Sequence, residues 1–155
     1  MGHSISPAFQ QSAIDYWNMD AKYEAVDVEE SDLPTVIDKL RNPEVLGANV
    51  TVPYKEAVLP FLDKLEDEVL RIGAVNTIQN VGGTLVGSNT DAIGFSRSLK
   101  EDGKFDVLGK TALILGSGGS ARAVAVALMG SGVKHITVAN RTIRRAKDLI
   151  DSLGQ

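Results

Sequence analysis

The stretch TALILGSGGSARAVAVALMG, Thr111 to Gly130, restricts the possible fold more than any other part of this 155-residue chain. Thr111–Leu115 is a short aliphatic run of the kind that forms a buried strand, and the alanine-rich segment Ser120–Met129 predicts a helix. Between them, Gly116-Ser117-Gly118-Gly119-Ser120-Ala121 fits G-x-G-x-x-A. In such an elbow the first glycine permits a tight turn. The second removes a side chain where a pyrophosphate would approach, and the small last residue lets helix and strand pack closely. The helix start offers unbonded N–H groups to an anion. A second strand, His135–Ala139, and a helix over Thr142–Leu153 follow, so the elbow reads as a dinucleotide site, with an ordinary strand-to-helix turn as the alternative.

At the end of the second strand, roughly 20 residues past the glycines, NAD enzymes present a carboxylate to the ribose hydroxyls. Here Asn140-Arg141-Thr142 stands in that place. No acid repels a 2′-phosphate, and the planar guanidinium of Arg141 can pair with one, assisted by Arg144 or Arg145. The residues favour NADP over NAD, the alternative being a solvated helix start.

Upstream, Lys22–Val28 alternates as a strand does, Asp32–Leu40 has helical apolar spacing, and Val45–Val52 reads as a strand closed by Pro53. Glu56–Ile72 predicts a helix broken near Pro60. Two β-prone runs, Asn76–Asn80 and Thr84–Ser88, flank Gly82-Gly83 as a hairpin, and Asp91–Lys100 predicts another helix ending around Gly103. The alternation implies an α/β protein with parallel sheets. A boundary between residues 90 and 105 gives two domains, 1–100 and 101–155. Only two strands of the nucleotide domain are found where a doubly wound sheet has about six, so the chain looks cut short, and its amino terminus, lacking a leading strand, looks trimmed as well.

Several function classes fall away on composition. There are no cysteines, and the two histidines, His3 and His135, are far apart, which leaves too few ligands for a zinc site. Net charge is −4 with the basic residues scattered, unlike the basic face that nucleic acid requires. No apolar run approaches the roughly 20 residues of a membrane span, and there is no signal-peptide pattern, so the default location is the cytoplasm.

Three polar stretches in the front half have no evident structural purpose: HSISP at residues 3–7, NVTVPYK at 49–55, and AVNT at 74–77 with NTDA at 89–92. With GSGGSAR and NRT they make the chain resemble the shikimate dehydrogenase family over residues 3 to 145. The resemblance implies an amino-terminal α/β substrate domain, an incomplete Rossmann-like NADP-binding domain, and a small-molecule substrate, shikimate or 3-dehydroshikimate, in a monomer or homodimer. It implies that Ser4 and Ser6 bind the substrate carboxylate and that Asn49, Thr51, Asn76 and Thr90 lie near the ring hydroxyls. Lys55 and Asp91 are then the catalytic pair. Their chemistry suits the residue types, because reducing a ring ketone needs a proton on the oxygen as hydride reaches the carbon. The resemblance also puts the pyrophosphate at Gly116, Ser117, Gly118, Gly119, Ser120 and Ala121, the adenosine phosphate at Asn140, Arg141, Thr142 and Arg145, and Asp67 at the nicotinamide-side cleft. The chain departs from the family in Ser117 and Ser120 within the elbow, in Gln10-Gln11 where a His-Asn pair is usual, and in lacking the part that completes the NADP sheet. The 155 residues alone are therefore expected to turn over little. A quinate-accepting enzyme and a non-catalytic binding relative are the other readings.

Overall fold

The structure, a computed structural model, describes residues 4–154; His3 lies outside them. Two compact units are present, one reaching Val36 and the other starting at Ile37.

In the first unit, helix α1 spans Ser6–Tyr16. Pro7 sits in its first turn, where a missing N–H removes no helical hydrogen bond. Asn18, with φ of +51°, reverses the chain, and the Gln11 side chain clips the returning segment to the helix: its Nε2 donates to the Ala21 carbonyl at 3.3 Å, and its Oε1 accepts from the Tyr23 amide at 2.8 Å. Lys22–Val28, expected as a strand, joins no ladder among the described residues. The Tyr23 amide goes to the Gln11 side chain. A 3-10 turn, Glu30–Asp32, then leads into α2 (Leu33–Lys39), within which the first unit ends and in which Leu33 and Ile37 are buried.

The second unit begins with a mixed sheet rather than the parallel one expected. Its strands are β1 (Gly47–Asn49), β2 (Lys64–Leu65), β3 (Thr77–Val81) and β4 (Thr84–Ser88), in the order β1-β3-β4-β2. Only the β2–β4 pair is parallel. The β3–β4 hairpin turns at Gly82-Gly83, both left-handed, as predicted. β1 is shorter than expected, although the Val50 amide continues its pairing to the Asn76 carbonyl at 2.8 Å; the Val52–Pro53 peptide that follows is cis. The helix expected over Glu56–Ile72 survives only as α3 (Asp67–Ile72), preceded by turns, a 3-10 turn at Leu59–Phe61 and β2. Pro60 has no N–H to give a longer helix, and the segment is pulled into the sheet, where Asp63 and Leu85 exchange backbone and side-chain hydrogen bonds.

Helix α4 (Asp91–Arg97) passes through one π turn, Ser98–Asp102, to Gly103. Strand β5 (Thr111–Leu115), helix α5 (Gly119–Gly130), strand β6 (His135–Ala139) and helix α6 (Ile143–Leu153) follow close to the predicted boundaries. β5 and β6 are parallel, Thr111 opposite His135 through Leu115 opposite Ala139, the start of a Rossmann-like βαβα unit. Alanine-rich α5 is buried on two sides. Ala123, Val126 and Ala127 pack with Ile72, Ala74 and Ala92 toward α3 and α4, while Ala125 and Leu128 pack with Val107, Ile114 and Leu149. Small side chains let three elements approach one helix, which brings the elbow onto the mixed-sheet part of the unit. Among the described residues no helix is long and apolar enough to cross a membrane.

Candidate active site

Lys55 follows the turn after Pro53, in a segment pinned by the Val75 amide donating to its carbonyl at 2.7 Å. Asp91 opens α4, where a carboxylate suits the positive end of the helix. These two residues, 36 positions apart, meet: Lys55 Nζ donates to Asp91 Oδ2 at 2.6 Å. The lysine side chain is 11% exposed and the aspartate 27%, so the ion pair is largely withdrawn from water yet open on one side.

Asn76 holds the other carboxylate oxygen, its Nδ2 donating to Asp91 Oδ1 and to Thr90 Oγ1, each at 2.9 Å. Its Oδ1 accepts from the Thr90 amide at 3.0 Å and from Thr77 Oγ1 at 2.9 Å. Asn49 Nδ2 donates in turn to Thr77 Oγ1 at 3.3 Å. Behind them the buried Asn89 braces the start of α4, donating to the Ala74 carbonyl at 2.8 Å and accepting from the Asp91 amide at 2.9 Å. Asn49, Asn76, Thr90, Asp91 and Lys55 thus form one hydrogen-bonded line at the ends of β1, β3 and β4. Thr51 is exposed in the turn before Lys55. Ser4 and Ser6 belong to the first unit, at the start of α1, with the Ser6 amide donating to Ser4 Oγ at 3.4 Å.

The glycine elbow joins this line from the other side. Lys55 Nζ donates to Ser120 Oγ at 3.4 Å. A Cβ built on Gly119 would come within 2.8 Å of the Lys55 Cβ and 3.2 Å of the Ala74 Cβ, so the first turn of α5 rests directly on the lysine stem. At Gly116, with φ of +112°, and at Gly118 a Cβ would meet nothing within 4 Å. The cradle ahead of α5 is open, its cap makes no side-chain hydrogen bond, and the amides of the first turn have no helical acceptor. The residues fit a pyrophosphate. Ser117 is buried and Ala121 half-buried against the second core.

At the end of β6, Asn140 Nδ2 donates to the Thr142 carbonyl at 2.9 Å, shaping the turn into α6, and Arg141 and Thr142 are exposed. Arg145, one turn on, reaches Glu56, with Nη2 3.3 Å from Oε1. Glu56 also meets Arg122 of α5, Oε2 lying 3.3 Å from Nε. Asp67 stands exposed as the first residue of α3.

Thr77, Asn89, Glu56 and Arg122 were not singled out from the sequence as site residues. The first two sit inside the motif stretches beside Asn76 and Asp91, and Arg122 closes GSGGSAR, so adjacency was the available signal. Glu56 gave none, since an acid after a lysine reads as a solvated charge pair.

A family model described as the shikimate dehydrogenase substrate binding domain matches residues 1–78, and a model for shikimate / quinate 5-dehydrogenase matches residues 98–155. The shikimate dehydrogenase (NADP(+)) of Moorella thermoacetica is 48% identical over 152 residues, 98% of this chain and 51% of that protein. Among solved structures, shikimate dehydrogenase from Aquifex aeolicus superposes with a TM-score of 0.91 at 40% identity, covering 99% of this chain and 57% of that one. The Thermus thermophilus enzyme in complex with NADP(H) and shikimate gives 0.88 at 43% identity, with 99% and 57% covered. The chain spans about half the length of the relatives it matches. With half of its residues matched by the first family model and nearly all of them aligned to these relatives, the chain belongs to the shikimate dehydrogenase family.

Proposed function

We propose that this chain carries the substrate-side catalytic residues and the first part of the cofactor site of an NADP-dependent shikimate dehydrogenase, a cytoplasmic enzyme interconverting 3-dehydroshikimate and shikimate. The observation that carries this is the 2.6 Å Lys55–Asp91 contact, steadied by Asn76 and seated against the elbow helix. NADPH, when bound, supplies hydride to the ring carbonyl carbon. Lys55 delivers a proton from Nζ to the carbonyl oxygen and takes one back in the reverse direction. Asp91 orients the ammonium and accepts from a ring hydroxyl. Asn49, Thr51, Asn76 and Thr90 select the ring hydroxyl pattern, and Ser4 and Ser6 bind the carboxylate.

On the cofactor side, Gly116 through Ala121 hold the pyrophosphate on the backbone amides, and Asn140, Arg141, Thr142 and Arg145 hold the adenosine 2′-phosphate. In domain terms, residues 1–100 serve the substrate and 101–155 the cofactor. The 155 residues alone are expected to give little turnover, because the described cofactor side has two strands and placing hydride donor and carbonyl within about 3.5 Å needs a complete, rigid site.

The test is NADP+ reduction with shikimate and then with quinate, which the description of the second family model includes, in the natural polypeptide carrying this chain. Lys55→Ala is expected to lower kcat by about 100-fold or more, as loss of a general acid does, and to leave the dissociation constant for NADP+ unchanged. Unchanged kcat would remove Lys55 from the mechanism. Absence of turnover with both acids would leave a binding relative.

A further inference from the structure

Glu56 lies at the junction of the lysine segment and the two helices of the cofactor side. One oxygen, Oε2, is 3.3 Å from Arg122 Nε on α5, and the other, Oε1, is 3.3 Å from Arg145 Nη2 on α6. The two arginines differ in freedom. Arg122 is 15% exposed, its Nε is buried with no well-aligned hydrogen-bond acceptor, and its Nη1 donates to Ser152 Oγ at 3.3 Å. Arg145 is 58% exposed. Arg122 is therefore the buried charge that stays beside Glu56, and Arg145, donating to Oε1 from an exposed side chain, is the partner able to leave.

We propose that Glu56 is a specificity-determining residue that competes with the cofactor's 2′-phosphate for Arg145. This rests on the cofactor reading given above. A guanidinium engages one oxyanion well through its planar fork of donors, and two acids facing one arginine divide it. A phosphate arriving beside Arg141 and Arg145 draws Arg145 away, while Glu56 stays neutralised by the buried Arg122. The cost of breaking the first pairing lowers the apparent affinity for the phosphorylated cofactor, as any required rearrangement does. NAD+, lacking the phosphate, leaves Arg145 on Glu56.

Dissociation constants for NADP+ and NAD+, measured by titration calorimetry on the natural polypeptide carrying this chain, test the competition. Glu56→Gln keeps an amide oxygen for Arg122 and removes the charge. It is expected to tighten NADP+ by roughly two- to fivefold, the strength of an exposed ion pair, and to leave NAD+ unchanged. In an Arg145→Gln background the gain should disappear. A gain that survives without Arg145, an equal gain for NAD+, or no gain would overturn the proposal. Should Glu56→Gln melt at a much lower temperature than the parent, Glu56→Asp, which draws the carboxylate back by one methylene, is expected to give the same selective tightening; unchanged affinities there would also count against it. If the parent protein binds NADP+ and NAD+ alike, the cofactor reading itself fails. If it prefers NADP+ and Glu56→Gln changes nothing, only the competition fails.

Discussion

Asn76 makes four hydrogen bonds with one amide group, and one of them decides where a carboxylate points. Its Nδ2 fixes Asp91 Oδ1, leaving Oδ2 for Lys55. Truncation to Ala would strand that oxygen and let Asp91 rotate. A hydrogen bond to a charged group is worth about 1.5–3 kcal/mol, so Asn76→Ala is expected to cut kcat/KM by about 10- to 100-fold, with little effect on NADP+ affinity measured in the same preparation. An unchanged kcat/KM would mean that Asp91 is oriented by Lys55 alone. Arg141 is proposed for the cofactor instead. Arg141→Asp is expected to weaken NADP+ binding by about 1.5–3 kcal/mol and to spare NAD+; equal losses would show that its side chain faces solvent only. At this scale Lys55, Asp91, Asn76 and Thr90 were legible because each falls in a short polar stretch out of keeping with its surroundings. Glu56 was not, because its role depends on two arginines 66 and 89 positions away that only packing brings near.

Two elements owe their positions to contacts that periodicity does not reveal. The first turn of α5 lies so close to Lys55 that Gly119→Ala must displace one or the other. Overpacking of this kind costs about 1–3 kcal/mol, which a urea midpoint should register, together with a lower kcat. A variant of full stability and activity would show that the helix can slide without consequence. The second case is β2, where helical apolar spacing gave way to a sheet edge. Arg41 pairs with Asp63 through both guanidinium ends, one contact at 3.1 Å, and donates to the Gly83 carbonyl at 2.8 Å, while the Leu85 amide donates to Asp63 at 2.7 Å. The Arg41 hydrogen bond, followed by the Leu85 amide, holds the Asp63 carboxyl below its usual range. A carboxyl depressed in the folded state contributes stability that is complete above the unfolded value and disappears as pH falls through the folded one. The contribution of this brace to the urea midpoint should therefore be lost as pH falls below about 4, so Asp63→Asn should be destabilised at neutral pH with a flatter acid limb than the parent; parallel pH curves would exclude this brace. The hairpin and the β5-α5-β6-α6 run were legible because turn residues and aliphatic runs act locally. The mixed sheet order was not, since strand direction and partner are set by distant backbone.

In the unit that starts at Ile37, the two hydrophobic cores share members. Phe95 and Leu153 pack against both the Ile72–Ala92–Ala127 cluster and the Val107–Ile114–Leu149 cluster. Helices α3 and α4 and the βαβα part thereby pack together around α5. Amide hydrogen exchange is expected to give α3 and β5 the same opening free energy, and Phe95→Ala, which removes a shared ring at a cost of about 3 kcal/mol, should lower protection in both together. Loss confined to one side would divide the unit into separate foldons. The Gly119 contact extends this sharing to evolution and engineering. Residues that usually travel together as a portable phosphate-gripping cassette are here also packed against the stem of Lys55, the proposed proton donor. Grafting a loop from another dinucleotide enzyme, with any bulkier residue at that point, would import cofactor grip while evicting the ammonium it was meant to serve, so preference for one nucleotide over another is better redesigned at the far end of β6.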